Sequence, residues 1–272
     1  MSLVSTDWLF NNLNNVKIID SSWHLPNQSR NAHKEYLDEH IMNSVFFDID
    51  KYSDQETNLP HMLPKSKEWE KIVSSLGISN KNKIVIYDNS DLISSCRCWY
   101  TFLYFGHNPS LISVLDGGLK KWKQEGKPVV NAITKNSRTN YTAKENSDMV
   151  KSKIEIDNNI SLKNFKVIDA RSIERFEGKI EEPRPNVRSG SINGSSCLPF
   201  IELINKHNNT FKSPNDINLI FKKIINTQDN SVVFSCGSGI TASVLALAYS
   251  LINNKYTPTI YDGSWSEYGL IK

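Results

Sequence analysis

The feature that most narrows the folds open to this chain is a repeat: its second half restates its first. Val16-Lys17-Ile18-Ile19-Asp20 returns as Phe165-Lys166-Val167-Ile168-Asp169, Lys83 to Asp88 returns as Ser231 to Cys236, and Ile112 to Leu119 returns as Pro258 to Trp265. Asp20 thus recurs as Asp169, Asp88 as Cys236 and Asp116 as Asp262, at offsets between 146 and 149 residues, a drift that small changes in loop length produce. Each recurring run is short, apolar and closed by a polar residue, with helical patterns between the runs. This alternation predicts an α/β protein of two tandem domains, each a mainly parallel sheet flanked by helices. The expected limits are 1–127 for the first copy, 128–153 for a polar linker that carries Pro128 and little periodicity, and 154–272 for the second. At 272 residues and 39% hydrophobic, the chain has enough apolar side chains for two such cores.

Ligands of open parallel sheets collect where loops leave the C-terminal ends of the strands. One such end stands out. Val232, Val233 and Phe234 read as a buried strand, Cys236-Gly237-Ser238-Gly239-Ile240-Thr241 as a tight loop, and Ala242, Val244, Leu245, Leu247 and Ala248 as the apolar face of a helix. The two glycines let the backbone turn its N–H groups inward, and the helix adds the positive end of its dipole. A thiol so placed is expected to act as a thiolate nucleophile. The bland alternative is a cysteine that serves as a small buried hydrophobe, a role that needs no Gly-Ser-Gly loop. Asp88 stands at the matching position of the first copy, which therefore has no nucleophile there; it reads as the turn residue that closes its strand.

The charge balance, 32 basic against 29 acidic side chains and a net +3, shows no long single-sign block. No nucleic acid or membrane partner is expected, and the substrate should be a small molecule. The longest apolar runs, such as Val244 to Ile252, are too short to span a bilayer, and the opening residues MSLVSTDWLF lack the pattern of a secretory signal, so a cytoplasmic location is expected. The four cysteines form no Cys-x-x-Cys pair and no metal-ligand spacing with the six histidines, which predicts a reducing compartment and no metal.

Two segments carry a resemblance. Cys236 to Ala242 and Glu182-Pro183-Arg184-Pro185-Asn186-Val187-Arg188, supported by Phe46 to Asp50, His61 to Pro64, Asp116 to Gly118 and Tyr261 to Trp265, resemble the two-domain rhodanese-like sulfurtransferases, and among them the branch that uses 3-mercaptopyruvate. The resemblance covers nearly the whole chain. It implies that Cys236 takes sulfur from a donor as a persulfide and passes it to cyanide or to a thiol acceptor such as thioredoxin or a small thiol, with no cofactor. It further implies that Arg184 and Arg188 clamp the donor's carboxylate and keto oxygen, that Gly237, Gly239, Ile240 and Thr241 frame it, that Ser238 and Asp50 handle protons, and that His61 touches substrate. For Asp50 and His61 the sequence leaves an equal alternative, a turn cap and a loop-closing residue. On the family reading the first copy lends residues to a cleft between the domains.

The chain departs from the family where a Gly/Arg-His-Ile-Pro-Gly segment is usual: the first copy has His40-Ile41-Met42-Asn43 and the second Gly190-Ser191-Ile192-Asn193-Gly194. The neutral loop after Cys236 suits mercaptopyruvate better than thiosulfate, a dianion, so thiosulfate sulfurtransferase is the second reading. A cysteine phosphatase would need an arginine at the end of the loop, where this chain has Ala242 and Ser243. A non-catalytic sulfur carrier is the remaining alternative.

Overall fold

The computed structural model describes residues 2–226 and 231–271, so the outermost expected domain limits, 1 and 272, lie outside it. Two compact units emerge. One holds Met1–Gln55, Leu63–Asn146 and Lys206–Phe211; the other holds Glu56–Met62, Ser147–Asn205 and Lys212–Lys272.

In the first unit, strands β1 (Leu3–Val4), β2 (Lys17–Asp20), β3 (Ser44–Phe46), β4 (Ile84–Tyr87) and β5 (Ile112–Leu115) form a sheet in the order β1-β5-β4-β2-β3. Every pairing is parallel. The second unit repeats this with β6 (Val150–Lys151), β7 (Lys166–Asp169), β8 (Ser196–Cys197), β9 (Val232–Ser235) and β10 (Ile260–Tyr261) in the order β6-β10-β9-β7-β8, again all parallel. The repeat read from the sequence is thus a repeat of topology. Central strands β4 and β9 are buried at every position, as strands covered on both faces must be.

Helices α1 (Thr6–Phe10), α2 (Ala32–Asp38), α3 (Ser66–Ser75), α4 (Ser95–Tyr104) and α5 (Gly118–Gln124) belong to the first unit. On one side of its sheet, Leu9 of α1 and Leu119 and Trp122 of α5 pack with Ile18, Val85, Tyr87 and Leu115. Trp69 of α3 anchors an aromatic group, edge-on to Phe102 at 4.9 Å and stacked on Phe105 at 5.0 Å. The second unit has α6 (Lys153–Leu162), α7 (Ile173–Phe176), α8 (Pro214–Phe221), α9 (Ile240–Ile252) and α10 (Ser264–Tyr268). Here Ile156 of α6 and Trp265 of α10 pack with Val167, Val233 and Tyr261, while Phe221, Phe234, Tyr249 and Tyr256 form a second aromatic group.

The altered family segment keeps a buried isoleucine in both copies, Ile41 and Ile192. The polar stretch expected as a linker differs more from expectation. Its 128–146 part lies along the first unit: Val130 bridges to His40, Thr139 N–H donates to the Ser74 carbonyl at 3.0 Å, Asn146 N–H to that of Tyr104 at 2.8 Å, and Tyr141 is buried. Its end, Val150–Lys151, is already the first strand of the second sheet. A strand of two residues has no alternation to read, and a strap held by backbone bonds needs no apolar period.

At the end of β2, Asp20 is buried and accepts from Ser22 N–H at 2.9 Å and the Ser22 hydroxyl at 2.5 Å. Burial outweighs those bonds and pushes its pKa from 3.8 up to about 6. A raised carboxyl pKa favours folding when the group is protonated, so this contribution is complete below about pH 4 and is lost as pH rises through about 6. Asp20→Asn should therefore unfold at higher urea concentration than wild type at pH 8, by roughly 2–3 kcal/mol, with the gain shrinking to near zero at pH 4. A gain independent of pH would show that Asp20 is ionised without cost.

Candidate active site

The loop between β9 and α9 is held from behind by α10. Cys236 O accepts from Trp265 N–H at 2.9 Å, and Gly237 O accepts from Ser266 N–H at 2.9 Å and from the Ser266 hydroxyl. The Cys236 N–H donates to Ser264 Oγ at 3.2 Å. Because each peptide is trans and planar, carbonyls fixed toward α10 send the N–H groups of Gly237 and Ser238 the opposite way. Gly239, at φ 83°, takes the left-handed turn that only glycine adopts without strain, and its N–H donates to Cys236 Sγ at 3.1 Å. Helix α9 starts at the next residue and adds its positive end. Cys236 is 2% exposed, so charges near it act in a medium of low polarisability. Ile240 is buried in the first turn of α9, and Thr241 beside it is half-buried.

Ser238 is the meeting point of two other groups. Its Oγ lies 2.8 Å from His61 Nδ1 and accepts from Arg184 Nη2 at 3.2 Å. His61 is buried at φ 62°, in the segment Glu56–Met62 that packs with the second unit. A Cβ placed on Gly237 would stand 3.3 Å from Arg175 Nη2 and 3.6 Å from Arg184 Nη1, so two guanidinium groups flank the loop and glycine leaves them room.

Arg175 was not among the residues the sequence singled out. It sits on the one-turn helix α7 among charged neighbours that read as a solvated face, and no periodicity marks it. Its role shows only through Glu182. That carboxylate, 3% exposed, accepts from Arg171 Nη1 at 2.7 Å and from Arg175 Nη2 at 2.5 Å, and Arg171 in turn is paired with Asp169 at 2.7 Å. The chain Asp169–Arg171–Glu182–Arg175 thus runs from the end of β7 to the loop.

Arg188 goes elsewhere. Its guanidinium lies over the ring of Trp265 at 4.5 Å and near that of Tyr268 at 5.9 Å, and its carbonyl accepts from Trp265 Nε1 at 2.7 Å. Arg188 thus packs on the helix behind the loop, while Arg175 and Arg184 are the guanidinium groups beside Gly237. Asp50 belongs to the first unit, where Trp23 Nε1 donates to its two oxygens at 3.0 and 2.9 Å. Among the described residues no cluster of His, Cys, Asp or Glu is placed to hold a metal ion, and no helix is long and apolar enough to cross a membrane.

The first unit shows the same loop already filled. Asp88 O accepts from Leu119 N–H at 2.9 Å, as Cys236 O accepts from Trp265, but the Asp88 carboxylate takes Ser90 N–H and Ser95 N–H, both at 2.9 Å. Burial raises the pKa of Asp88 and those bonds oppose it.

The model of the Rhodanese-like domain matches residues 5–125 and 152–270. The chain is 36% identical to the thiosulfate/3-mercaptopyruvate sulfurtransferase 1, mitochondrial, of Arabidopsis thaliana over 98% of its length and 75% of that protein's. It is 35% identical to the 3-mercaptopyruvate sulfurtransferase of Mus musculus, covering 98% of this chain and 91% of the other. The crystal structure of SseA from Escherichia coli, described as a 3-mercaptopyruvate sulfotransferase with the rhodanese fold, superposes with a TM-score of 0.87 at 29% identity, covering 97% of this chain and 99% of that one.

None of the other three cysteines stands in the loop between β9 and α9. Burial pushes the thiols of Cys96 and Cys98 well up, and burial together with Asp169 pushes that of Cys197 up to about 12. Brief iodoacetamide treatment at pH 8 followed by peptide mass spectrometry should label Cys236 ahead of all three. Equal or faster labelling of Cys197 would remove Cys236 from the role of nucleophile.

Proposed function

We propose that this chain, which belongs to the rhodanese-like family by both of its halves, is a sulfurtransferase that takes sulfur from 3-mercaptopyruvate. The Cys236 thiolate attacks the sulfur of the donor. The S–S bond forms as the C–S bond breaks, and the electron pair of that bond leaves as the enolate of pyruvate, which takes up a proton to become pyruvate. Cys236 now carries a persulfide. A thiolate acceptor attacks the outer sulfur, leaves as its own persulfide and returns the Cys236 thiolate; cyanide in the same role leaves as thiocyanate.

The residues beside the loop fit these needs. Planar guanidinium groups meet a carboxylate with paired hydrogen bonds, so Arg175 and Arg184 hold the carboxylate and keto oxygen and stabilise the enolate. Ser238, between His61 and Arg184, offers a hydroxyl where a proton must move. The Gly239 N–H on Cys236 Sγ holds the sulfur anion. This reading needs neither Asp50 nor Arg188. The observation that carries it is a cysteine with a backbone donor on its sulfur and two arginines beside its loop. Thiosulfate is a second donor, used less well because the loop residues themselves are neutral. Four free cysteines suit a reducing compartment such as the cytosol, and a small thiol or a dithiol protein such as thioredoxin is the acceptor we expect there.

Purified protein mixed with 3-mercaptopyruvate and a thiol should release pyruvate and sulfide. Cys236→Ser should bring the rate to the uncatalysed background, and Arg184→Gln should raise KM at least about tenfold, the loss expected for a charge-assisted hydrogen bond. Pyruvate formation by Cys236→Ser at the wild-type rate would sink the reading. Turnover of thiosulfate and cyanide alone would make thiosulfate the donor.

A further inference from the structure

We propose that Glu182 sets the donor preference of this site: by pairing with Arg175 it lowers the positive charge that reaches the Cys236 loop, which favours a singly charged carboxylate over a dianion. The proposal deepens the sulfurtransferase reading and rests on it for the names of the donors. Glu182 touches neither the loop nor the thiol in any bond described above, yet its carboxylate is buried and lies one guanidinium away from Gly237. Of its two partners, Arg171 already has a carboxylate of its own in Asp169. Asp169, Arg171, Glu182 and Arg175 together carry two negative and two positive charges, so Glu182 is the charge that balances Arg175.

Electrostatic energy is proportional to the charge of the ligand, so removing one buried negative charge here strengthens the binding of a dianion by twice the free energy gained by a monoanion. Bulk salt screens such a buried charge weakly. Thiosulfate is the dianion and mercaptopyruvate the monoanion, and a charge change at residue 182 should separate them. A merely structural role for Glu182 would harm both alike.

Glu182→Gln keeps the size and one acceptor oxygen while removing the charge. With cyanide as common acceptor, this variant should raise the ratio of kcat/KM for thiosulfate to that for mercaptopyruvate by about tenfold, and Glu182→Asp should leave the ratio near the wild-type value. Glu182→Ala, which also removes the charge, should move the ratio in the same direction and serves if Glu182→Gln does not fold. Calorimetric binding of two unreactive anions, sulfate and pyruvate, supplies a readout independent of turnover, and the sulfate-to-pyruvate affinity ratio should rise in Glu182→Gln. An unmoved or lowered ratio in folded Glu182→Gln or Glu182→Ala overturns the proposal. If wild type turns over neither donor but the anion ratio shifts as stated, the sulfurtransferase reading fails and the charge role of Glu182 stands.

Discussion

Two backbone hydrogen bonds decide which way the loop after β9 faces. With Cys236 O and Gly237 O tied to the first amides of α10, the trans peptides leave the following N–H groups no choice but the other side. A backbone donor on a sulfur is then a product of chain geometry and not of any side chain. The Tyr261-Asp262-Gly263-Ser264-Trp265 segment, which the sequence marked only as a repeat of the stretch around Asp116, is the support that makes this geometry rigid. Arg188, stacked on Trp265, stiffens the support in turn.

The two copies of the domain put one backbone device to opposite ends. In the first unit a carboxylate two bonds from its own backbone occupies the amides of its loop, and the device closes on itself as a helix cap. In the second, a thiol is too weak an acceptor to saturate its loop, so amides stay directed at whatever lies on the far side. A single residue type at one strand end separates a loop whose amides are taken by a carboxylate from one that holds a thiol.

What the sequence made legible was whatever has a period or a repeat. The strands around Ile18, Val85, Val167 and Val233, the helix from Ile240, and the loop between β9 and α9 all follow from runs of apolar residues and the glycines between them. The short edge strands Leu3–Val4, Val150–Lys151 and Ser196–Cys197 did not, because two residues carry no pattern. The arginines divided the same way. The proline-punctuated segment drew attention to Arg184 and Arg188 together, but side-chain direction within an irregular segment is set by what each can stack on or pair with, and Trp265 drew one of them away. Arg175 lay outside that segment, and only the buried Glu182 explains why it is held at the loop. Asp50 and His61 were read alike; the structure puts the histidine on Ser238 and the aspartate on Trp23.

The segment holding His61 has a consequence for modularity. Residues 56–62 pack with the second unit although they precede the repeat boundary by nearly a hundred positions, and residues 206–211, whose Phe211 N–H binds Asp116, pack with the first. Each half of the gene therefore encodes a piece of the other half's body. A protein severed between the repeats would yield a C-terminal fragment that keeps its sulfur and its arginines yet has no imidazole for Ser238, and an N-terminal fragment whose Asp116 has lost the amide of Phe211.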